Sequence, residues 1–360
     1  MEIGIFGLPL SGKTTLFNLL TNSSAETGFA SSKKKANMGI SKVPDARLDE
    51  LKRIWSPKKT TYTTVNYVDV AGVEKGGEKG LSSDVMTSLK NTDALLVVVR
   101  QFASDMVPHP EESIDPKRDV SILTSEMLLS DLVIVETRLE RIAKQMKGKV
   151  SDEVMREKEL MEKLQAILEE ERPLRDVELS ADEIKIIKGF QFLTLKPLIV
   201  VINTGEEDIA DGDALASELT ASINSPKVAV THLCAEIEQE ISQLSPEEAT
   251  EFLADLGIEE PATARIIRTS YELLGLISFF TMGEDECRAW TVERGAKAPR
   301  AAGVIHSDLE RGFIRAEVVS YENFVSAGSL AACRDKGLLS TEGKEYVVKD
   351  GDILNIRFNV

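Results

Sequence analysis

The first fourteen residues constrain the fold more than any other stretch, because they carry a glycine loop of fixed spacing. Residues 7–14 read G-L-P-L-S-G-K-T and fit the pattern G-x-x-x-x-G-K-[ST] without a gap. An apolar segment at Glu2–Phe6 predicts a buried strand before the loop, and residues 15–20 predict a helix after it. A strand, a glycine loop and a helix N-terminus in this order form a cradle whose backbone N–H groups face phosphate.

This loop supplies the first candidate nucleotide-binding residues. We expect Lys13 to place a positive charge beside the β- and γ-phosphate oxygens, and we expect the Thr14 hydroxyl to ligate Mg²⁺. The loop residues that we predict to contact nucleotide are Leu8, Pro9, Leu10, Ser11, Gly12, Lys13, Thr14 and Thr15.

A second phosphate motif, D-x-x-G, occurs at residues 69–72, where another predicted strand ends. Behind a P-loop, the Asp of this motif reaches Mg²⁺ and the Gly N–H can bind the γ-phosphate. We therefore predict Asp69 as a metal-binding residue and Gly72 as a nucleotide-binding residue. The glycine-rich segment at residues 74–80 is predicted to be a switch.

Composition limits the class of protein and its partners. The 360 residues leave room for two or three domains. The formal net charge of −17 excludes binding to nucleic acid by overall attraction, so we expect no DNA partner and only a local basic surface for any RNA. No stretch resembles a signal peptide or a membrane span, so we expect a cytoplasmic protein. The three cysteines are far apart and argue against a disulfide framework or a structural zinc site.

Apolar runs along the first 233 residues predict an α/β sheet. Two of them lack alternation, as expected for interior parallel strands. The predicted strands are Glu2–Phe6, Thr64–Val70, Ala94–Val99, Leu198–Ile202 and Lys227–Leu233.

About a hundred residues separate the third and fourth of these strands, which is too many for one crossover helix. Part of this stretch has apolar residues in alternating steps of four and three, which indicates a heptad seam. The seam comprises Leu128, Leu132, Val135, Leu139, Ile142 and Met146, and a weaker one comprises Val154, Met161, Leu164 and Leu168. Residues 147–149 break the pattern, Ser151 is typical of a helix start, and Ser180–Glu183 fits a capping box. We predict an inserted antiparallel helical hairpin.

After about Gly275 the sequence becomes richer in glycine and in short β-branched runs, which predicts a separate small α+β domain. The predicted strands are Arg288–Val292, Ala316–Val319, Tyr346–Val348 and Ile353–Phe358. The segment Asp350-Gly351-Asp352 predicts a hairpin turn between the last two.

These motifs together resemble the YchF/Obg-like ATPase family of P-loop proteins over nearly the whole chain. Residues 7–18 are similar to the first motif of that family, and residues 43–48, V-P-D-A-R-L, are similar to its V-P-D-x-R-L segment. Residues 288–291, 312–317 and 350–352 resemble its C-terminal part. The resemblance implies ATP and Mg²⁺ as ligands, a coiled-coil arm, a TGS-like C-terminal domain and the ribosome as partner. The domains are then predicted as 1–125 with 192–275 for nucleotide, 126–191 for the coiled-coil insertion and 276–360 for the TGS-like domain.

The base-side motif follows the fourth strand. A GTPase carries N-K-x-D, whose Asp accepts hydrogen bonds from guanine, whereas this chain has Asn203-Thr204-Gly205-Glu206. Loss of the Lys and the Asp removes the groups that select guanine. The resemblance, in which this motif is N-x-x-E, implies a preference for ATP. The predicted base-side residues are Asn203, Thr204 and Glu206, with Cys234, Ala235 and Glu236 in a second loop.

The water-orienting residue is not supplied by the D-x-x-G motif. Many GTPases have Gln directly after that motif, but this chain has Val73. The resemblance implies that a His on another loop replaces it, and His109 is the candidate for orienting water or for acid–base work. By itself, a His between two prolines is more often a surface residue.

Three departures from the family motifs accompany this resemblance. Leu10 stands where the family has an Asn that holds a monovalent cation in related GTPases, so we expect little stimulation by potassium. Lys33 aligns with the switch threonine that contacts Mg²⁺. The basic run at residues 32–35 is interpreted as a solvated loop in preference to a phosphate or RNA contact. These departures predict slow or altered turnover.

Three functions compete at this point. The leading hypothesis is a slow ATPase that acts as a conformational switch. The alternatives are a nucleotide-gated binding module with negligible hydrolysis, or a GTP-using member. A small-molecule kinase shares the P-loop, but the D-x-x-G and N-x-x-E motifs and the C-terminal domain argue against it.

Overall fold

The structure is a computed structural model that describes residues 1–25, 37–70, 82–104, 107–146, 151–283 and 285–359. Contacts divide the chain into two compact units. Unit 1 comprises Met1–Ile40 and Asn66–Ile266, and unit 2 comprises Ser41–Val65 and Ile267–Val360. Within the described ranges, no helix combines the length and the hydrophobicity that a bilayer span requires.

The described residues form strands and helices along the whole chain. The strands are β1 (Glu2–Phe6), β2 (Asn37–Lys42), β3 (Lys59–Thr61), β4 (Thr64–Asp69), β5 (Ala94–Arg100), β6 (Leu198–Asn203), β7 (Val228–Leu233), β8 (Leu276–Met282), β9 (Glu286–Glu293), β10 (Phe313–Ser320), β11 (Ser340–Glu342) and β12 (Asp352–Phe358). The helices are α1 (Lys13–Thr21), α2 (Ala46–Trp55), α3 (Ser83–Lys90), α4 (Pro116–Gln145), α5 (Asp152–Glu169), α6 (Ala181–Ile187), α7 (Gly212–Ile223), α8 (Ala235–Ile241), α9 (Pro246–Asp255), α10 (Ala262–Leu273), α11 (Ala298–Ile305), α12 (Ser307–Arg311), α13 (Tyr321–Ala327) and α14 (Leu330–Asp335).

Unit 1 is organised around a six-stranded sheet with the order β2-β4-β1-β5-β6-β7. Strand β1 lies between β4 and β5 and is parallel to both, and β6 and β7 continue the parallel arrangement. Every residue of β5 and β6 is buried, because helices cover both faces of a parallel sheet. The five predicted strands are confirmed, and the carboxyl ends of β1, β4, β5 and β6 meet at the edge that carries the P-loop.

The predicted insertion is a pair of long helices. The 30-residue α4 buries Leu128, Val135 and Ile142 of the predicted heptad seam, and α5 buries Met161, Leu164 and Leu168 against them. Glu157, which interrupts the weaker seam, accepts two hydrogen bonds from Arg138 on α4, at 2.7 and 2.6 Å. A charged residue therefore occupies this seam position because it has a partner on the facing helix.

Two predicted helix starts at this arm are also confirmed. Ser151 accepts a hydrogen bond from Val154 N–H at the start of α5, and Ser180 with Glu183 forms a capping box on α6. The predicted break at residues 147–149 lies outside the described residues.

The foot of the arm is held by a buried carboxylate. Asp131 on α4 accepts hydrogen bonds from Leu193 N–H at 2.9 Å and from both the N–H and the hydroxyl of Thr194 at 2.7 Å. Arg175 donates to the Thr194 carbonyl oxygen from the other side, at 3.0 Å. Burial raises the pKa of Asp131, and these hydrogen bonds oppose that change. The arm is thus connected to the chain segment that leads into β6.

Unit 2 contains a second six-stranded sheet, with the order β11-β10-β12-β8-β9-β3. One core cluster packs the sheet against α11 and α12, and another packs it against α2, α13 and α14. The predicted strands near residues 288, 316 and 353 are confirmed as parts of β9, β10 and β12.

One predicted strand of unit 2 is wrong. Residues 346–348 form only an isolated bridge, between Val347 and Lys297. Strand β12 already pairs with β10 on one side and with β8 on the other, so no edge remains for a hairpin partner. The segment instead exchanges hydrogen bonds with residues 296–298, and the turn at Asp350-Gly351-Asp352 leads into β12 without closing a hairpin.

An early segment of the chain belongs to unit 2. Strand β3 pairs in parallel with β9, and Arg47 on α2 bridges Asp45 and Asp350, at 2.9 Å in each case. Phe280 lies under the Arg47 guanidinium at 5.4 Å. The V-P-D-A-R-L segment, which leads into α2, is therefore part of unit 2, whereas we predicted it within the nucleotide domain. The boundaries 1–125, 126–191, 192–275 and 276–360 otherwise stay a prediction.

Candidate functional site

The P-loop follows β1 and ends at an α1 N-terminus that has no side-chain cap. Gly7 and Gly12 have φ of 156° and 95°. A Cβ at Gly7 would lie 2.4 Å from the Val98 carbonyl oxygen, and one at Gly12 would lie 2.3 Å from Asn203 Nδ2. Glycine is thus required at both ends of the loop, by backbone conformation and by close approach. The first N–H groups of α1 stay available to a phosphate.

Lys13 begins α1 and is buried, with 7% of its surface exposed. Its ammonium donates to the Leu8 carbonyl oxygen at 2.7 Å, so the side chain runs back along the loop. Burial lowers the pKa of Lys13 from 10.5 to about 8, and nearby Asp69 opposes this change. A phosphate oxygen would supply the counter-charge that the buried ammonium needs.

The predicted metal-binding residues Thr14 and Asp69 are in direct contact. The Thr14 hydroxyl donates to Asp69 Oδ2 at 3.0 Å, and the side-chain amide of Asn37 reaches the same oxygen at 3.4 Å. The described residues contain no group of three or more His, Cys, Asp or Glu side chains placed to hold a metal. A hydroxyl and a carboxylate are oxygen ligands of the kind that Mg²⁺ takes, with phosphate completing its ligands. Asn37, which sequence reasoning missed, donates to Asp69 and helps to orient its carboxylate.

Asn203 at the end of β6 links the P-loop to the base-side loop. Its Nδ2 donates to the Ser11 carbonyl oxygen at 3.2 Å, and its Oδ1 accepts from Ala235 N–H at 3.2 Å. Thr204 is buried and donates to the Leu233 carbonyl oxygen, so its hydroxyl does not face outward. Glu206 is exposed and stands at the start of a short 3₁₀ turn. The structure therefore places Asn203, Thr204, Glu206 and Ala235 at one edge of the sheet.

Cys234 occupies the position before α8 and is buried. Burial raises the pKa of its thiol, and Glu236 and Glu206 raise it further, against the lowering effect of the Ile237 and Glu236 N–H groups. The thiol is thus neutral at physiological pH and acts as a small apolar surface. Both carboxylates lie near enough to influence it, which places the two predicted base-side loops together.

Two buried polar atoms of the described residues lack a hydrogen-bond partner, Ser11 Oγ and Arg100 Nη1. Arg100 ends β5, and its guanidinium stacks over the Phe102 ring at 4.3 Å. Burial lowers the pKa of Arg100. Because buried donors are normally paired, such atoms beside a P-loop suit a polar ligand. Sequence reasoning missed Arg100, although a charged residue directly after an apolar strand was a usable signal.

His109 lies on the loop between β5 and α4. Its Nε2 is 3.0 Å from Asp119 Oδ2, and its Nδ1 accepts from Glu111 N–H at 3.1 Å. Only 6% of the His109 side chain is exposed. The residue is therefore not the exposed surface histidine that its two flanking prolines suggested, and both of its ring nitrogens are engaged.

Some predicted residues fall outside the described ranges. These are Gly72 and Val73, the switch at residues 74–80, and the basic run at residues 32–35 that includes Lys33.

Two family models match parts of this chain. A family model described as a 50S ribosome-binding GTPase matches residues 2–138, and the YchF-GTPase_C model, described as a protein of unknown function, matches residues 276–359. The ribosome-binding ATPase YchF of Bacillus subtilis is 42% identical over 365 residues, which cover 100% of this chain and 100% of that protein. This chain belongs to the YchF family. The YchF of Escherichia coli O157:H7 is 40% identical, with 100% of this chain and 99% of that protein covered.

A solved YchF structure confirms the fold. The Schizosaccharomyces pombe YchF GTPase has a TM-score of 0.87 and 32% sequence identity, and the match covers 99% of this chain and 97% of that chain. The predicted YchF resemblance and the predicted fold class, an α/β P-loop domain with a helical insertion and a C-terminal domain, are therefore confirmed.

Proposed function

We propose that this YchF protein is a Mg²⁺-dependent ATPase that works as a slow nucleotide switch on the ribosome, in the cytoplasm. The observation that carries this proposal is the P-loop itself. A buried ammonium, an uncapped helix N-terminus and a hydroxyl–carboxylate pair converge on one edge of a parallel sheet. A nucleoside triphosphate with its metal matches this set of groups, because its phosphates need a cation and N–H donors and its metal needs oxygen ligands.

The phosphates and the metal have separate partners in this proposal. Lys13 would exchange the Leu8 carbonyl oxygen for phosphate oxygens, because the charge-assisted contact is the stronger one. Thr14 and Asp69 would hold Mg²⁺, with Asn37 supporting Asp69. When bound, Mg²⁺ neutralises charge on the β- and γ-phosphate oxygens.

ATP preference is supported by the replacement of the lysine and the aspartate that bind guanine in the N-K-x-D motif. The N-K-x-D carboxylate that accepts from guanine is replaced by Glu206, which is one methylene longer and exposed. Thr204 is turned toward Leu233 and cannot stack on a base as a lysine stem does. The bacterial relatives are named ATPases and the S. pombe relative is named a GTPase, so the base preference of this chain needs its own measurement.

Hydrolysis requires a water in line with the γ-phosphorus. We assign its positioning to His109, since Val73 has no polar group. The water oxygen bonds to phosphorus, the bond from phosphorus to the β–γ bridging oxygen breaks, and ADP leaves. The water proton passes to the unprotonated His109 Nδ1, which must first release Glu111 N–H.

A second candidate function is a nucleotide-gated binding module with negligible hydrolysis. The specific observation in its favour is that both ring nitrogens of His109 are occupied by protein partners. The two candidate functions share the nucleotide site and differ only in whether the bound ATP is hydrolysed. The ribosome as partner is supported by the names of the bacterial relatives, which are ribosome-binding ATPases. We expect neither DNA nor a membrane as a partner.

Single-turnover hydrolysis with and without ribosomes tests the proposal. The wild type should convert bound ATP to ADP, and ribosomes should change that rate. His109→Ala should lower turnover by about 10²–10⁴-fold while ATP affinity stays nearly unchanged. Equal turnover in the variant would make His109 a bystander, and no hydrolysis by the wild type under either condition would favour the binding module.

A further inference from the structure

The contact between His109 and Asp119 defines the protonation of the imidazole. A backbone N–H can only donate, so the Glu111 N–H contact requires His109 Nδ1 to be unprotonated. The ring proton is then on Nε2, which faces the carboxylate oxygen of Asp119 at 3.0 Å. The side chains of His109 and Asp119 are 6% and 2% exposed, so solvent does not compete for this contact.

Asp119 is itself held in a fixed orientation. Its other oxygen, Oδ1, accepts from Arg118 Nε at 3.0 Å and from Arg118 Nη2 at 2.8 Å. Arg118 in turn donates to the Ser113 carbonyl oxygen at 2.7 Å and to the Ser113 hydroxyl at 2.6 Å. The Asp119 carboxylate therefore presents one oxygen to Arg118 and the other to His109. It cannot rotate without breaking its charged contact with Arg118 and its hydrogen bond with His109.

We propose that Asp119 is the positioning residue for His109 in ATP hydrolysis. It holds the proton on Nε2, so that Nδ1 is the nitrogen that takes the water proton when Glu111 N–H gives way. The carboxylate also stabilises the imidazolium that this transfer creates. The inference rests on the proposed role of His109, and Asp119 acts only through that side chain.

Asparagine at position 119 cannot satisfy both neighbours. If its Oδ1 faces His109 Nε2–H, its NH₂ group meets the guanidinium of Arg118, and two donors oppose each other. If the amide is reversed, its NH₂ faces His109 and requires the proton on Nδ1, where it opposes Glu111 N–H. Either orientation removes the arrangement of the wild type while the side-chain volume stays the same.

The kinetic test compares Asp119→Asn with a matched control. Asp119→Asn should lower kcat by about tenfold or more, with KM for ATP unchanged within about twofold. Asp115→Asn removes the same charge from the same helix start, where Asp115 accepts from Arg118 N–H and does not contact His109. Asparagine still caps a helix, so this control should keep wild-type kcat.

A double variant separates positioning from a general structural effect. If Asp119 acts through His109, Asp119→Asn combined with His109→Ala should be no slower than His109→Ala alone, within about twofold. Multiplying losses would overturn the proposal, and so would an Asp119→Asn enzyme with wild-type kcat. If His109→Ala itself turns over normally, the proposed role of His109 has failed, which is a separate result that also removes the basis for Asp119.

Imidazole ¹⁵N resonances provide a readout that does not depend on activity. The chain has three histidines, so His109→Ala assigns the His109 signals by their loss. Wild-type His109 should show a protonated Nε2 and an unprotonated Nδ1, and Asp119→Asn should abolish that pattern. A proton on Nδ1 in the wild type would overturn the proposal even if Asp119→Asn failed to fold.

Discussion

Replacing Lys13 by methionine is expected to stabilise the nucleotide-free protein while it removes nucleotide binding. The ammonium is buried, and among the residues that the structure describes it donates to one carbonyl oxygen, that of Leu8. Burial without a carboxylate in direct contact is the reason that the pKa of Lys13 falls to about 8. Methionine has a similar length and flexibility, so it fills the same space without a charge.

The size of the expected stabilisation follows from the pKa of Lys13. A decrease from 10.5 to about 8 corresponds to a cost of about 3 kcal/mol for keeping the charged form in the folded protein. Loss of the hydrogen bond to Leu8 costs about 1 kcal/mol. The net gain for Lys13→Met near pH 7 is therefore about 2 kcal/mol, or about 3 °C in Tm for a protein of this size.

The gain should depend on pH in a defined direction. Between about pH 8 and 10.5, the unfolded chain holds a proton on Lys13 that the folded protein has lost. Wild-type stability therefore rises across this window relative to the variant, which lacks the titrating group. The advantage of Lys13→Met should be complete below about pH 8 and should vanish as pH approaches 10.5.

Thermal unfolding at several pH values from 7 to 10, without nucleotide, measures both effects. Lys227→Met is the matched control, because Lys227 is exposed and precedes β7 in the same unit. The control should leave Tm unchanged at every pH. A Lys13→Met protein that is no more stable than the wild type at pH 7, or whose advantage does not change with pH, would refute the burial argument.

Three further predictions concern other contacts. Asn203→Ala removes hydrogen bonds to Ser11 and Ala235, so it should lower stability by about 2–4 kcal/mol and weaken ATP binding in calorimetry; unchanged affinity would contradict the link between the two loops. Leu10 has φ of 63°, a conformation that asparagine adopts more readily than leucine, so Leu10→Asn should raise the free energy of unfolding by about 0.5–1 kcal/mol. Because Leu10 lacks the oxygen that holds a monovalent cation, potassium should accelerate wild-type hydrolysis little relative to sodium; a large potassium-specific effect would mean that another oxygen replaces the missing Asn. Arg47→Met loses both carboxylate partners and should cost about 1–3 kcal/mol in denaturant unfolding, with an unchanged midpoint as the contrary result.

Much of unit 1 could be predicted from the sequence, because its signals are local. The P-loop pattern fixes a strand, a turn and a helix within twenty residues, and the apolar runs of β5 and β6 are long enough to identify interior strands. The heptad seam of α4 likewise depends on spacing alone. These parts of the prediction are confirmed.

The parts that escaped prediction leave no local pattern in the sequence. Residues 346–348 have strand-like composition, but both edges of β12 are already occupied by β8 and β10. Strand β2 exposes Met38 and Ile40, so it lacks the buried pattern that identifies a strand. The partners of His109 could not be inferred, since nothing in the sequence around a histidine between two prolines indicates a hydrogen bond to an aspartate ten residues later. The site residues predicted from motifs stay a prediction until they are tested with nucleotide.

Equilibrium binding of ATP and GTP with Mg²⁺, measured by calorimetry on the wild type and on Lys13→Ala, tests whether the P-loop binds a nucleoside triphosphate and which base the site prefers. We predict that ATP binds at least as tightly as GTP and that Lys13→Ala weakens both strongly, because a charged contact to several phosphate oxygens is lost. A GTP preference of about tenfold, which is 1.4 kcal/mol, would show that Glu206 does the work of the missing aspartate. Unchanged affinity in Lys13→Ala would contradict the assignment of the P-loop as the nucleotide site.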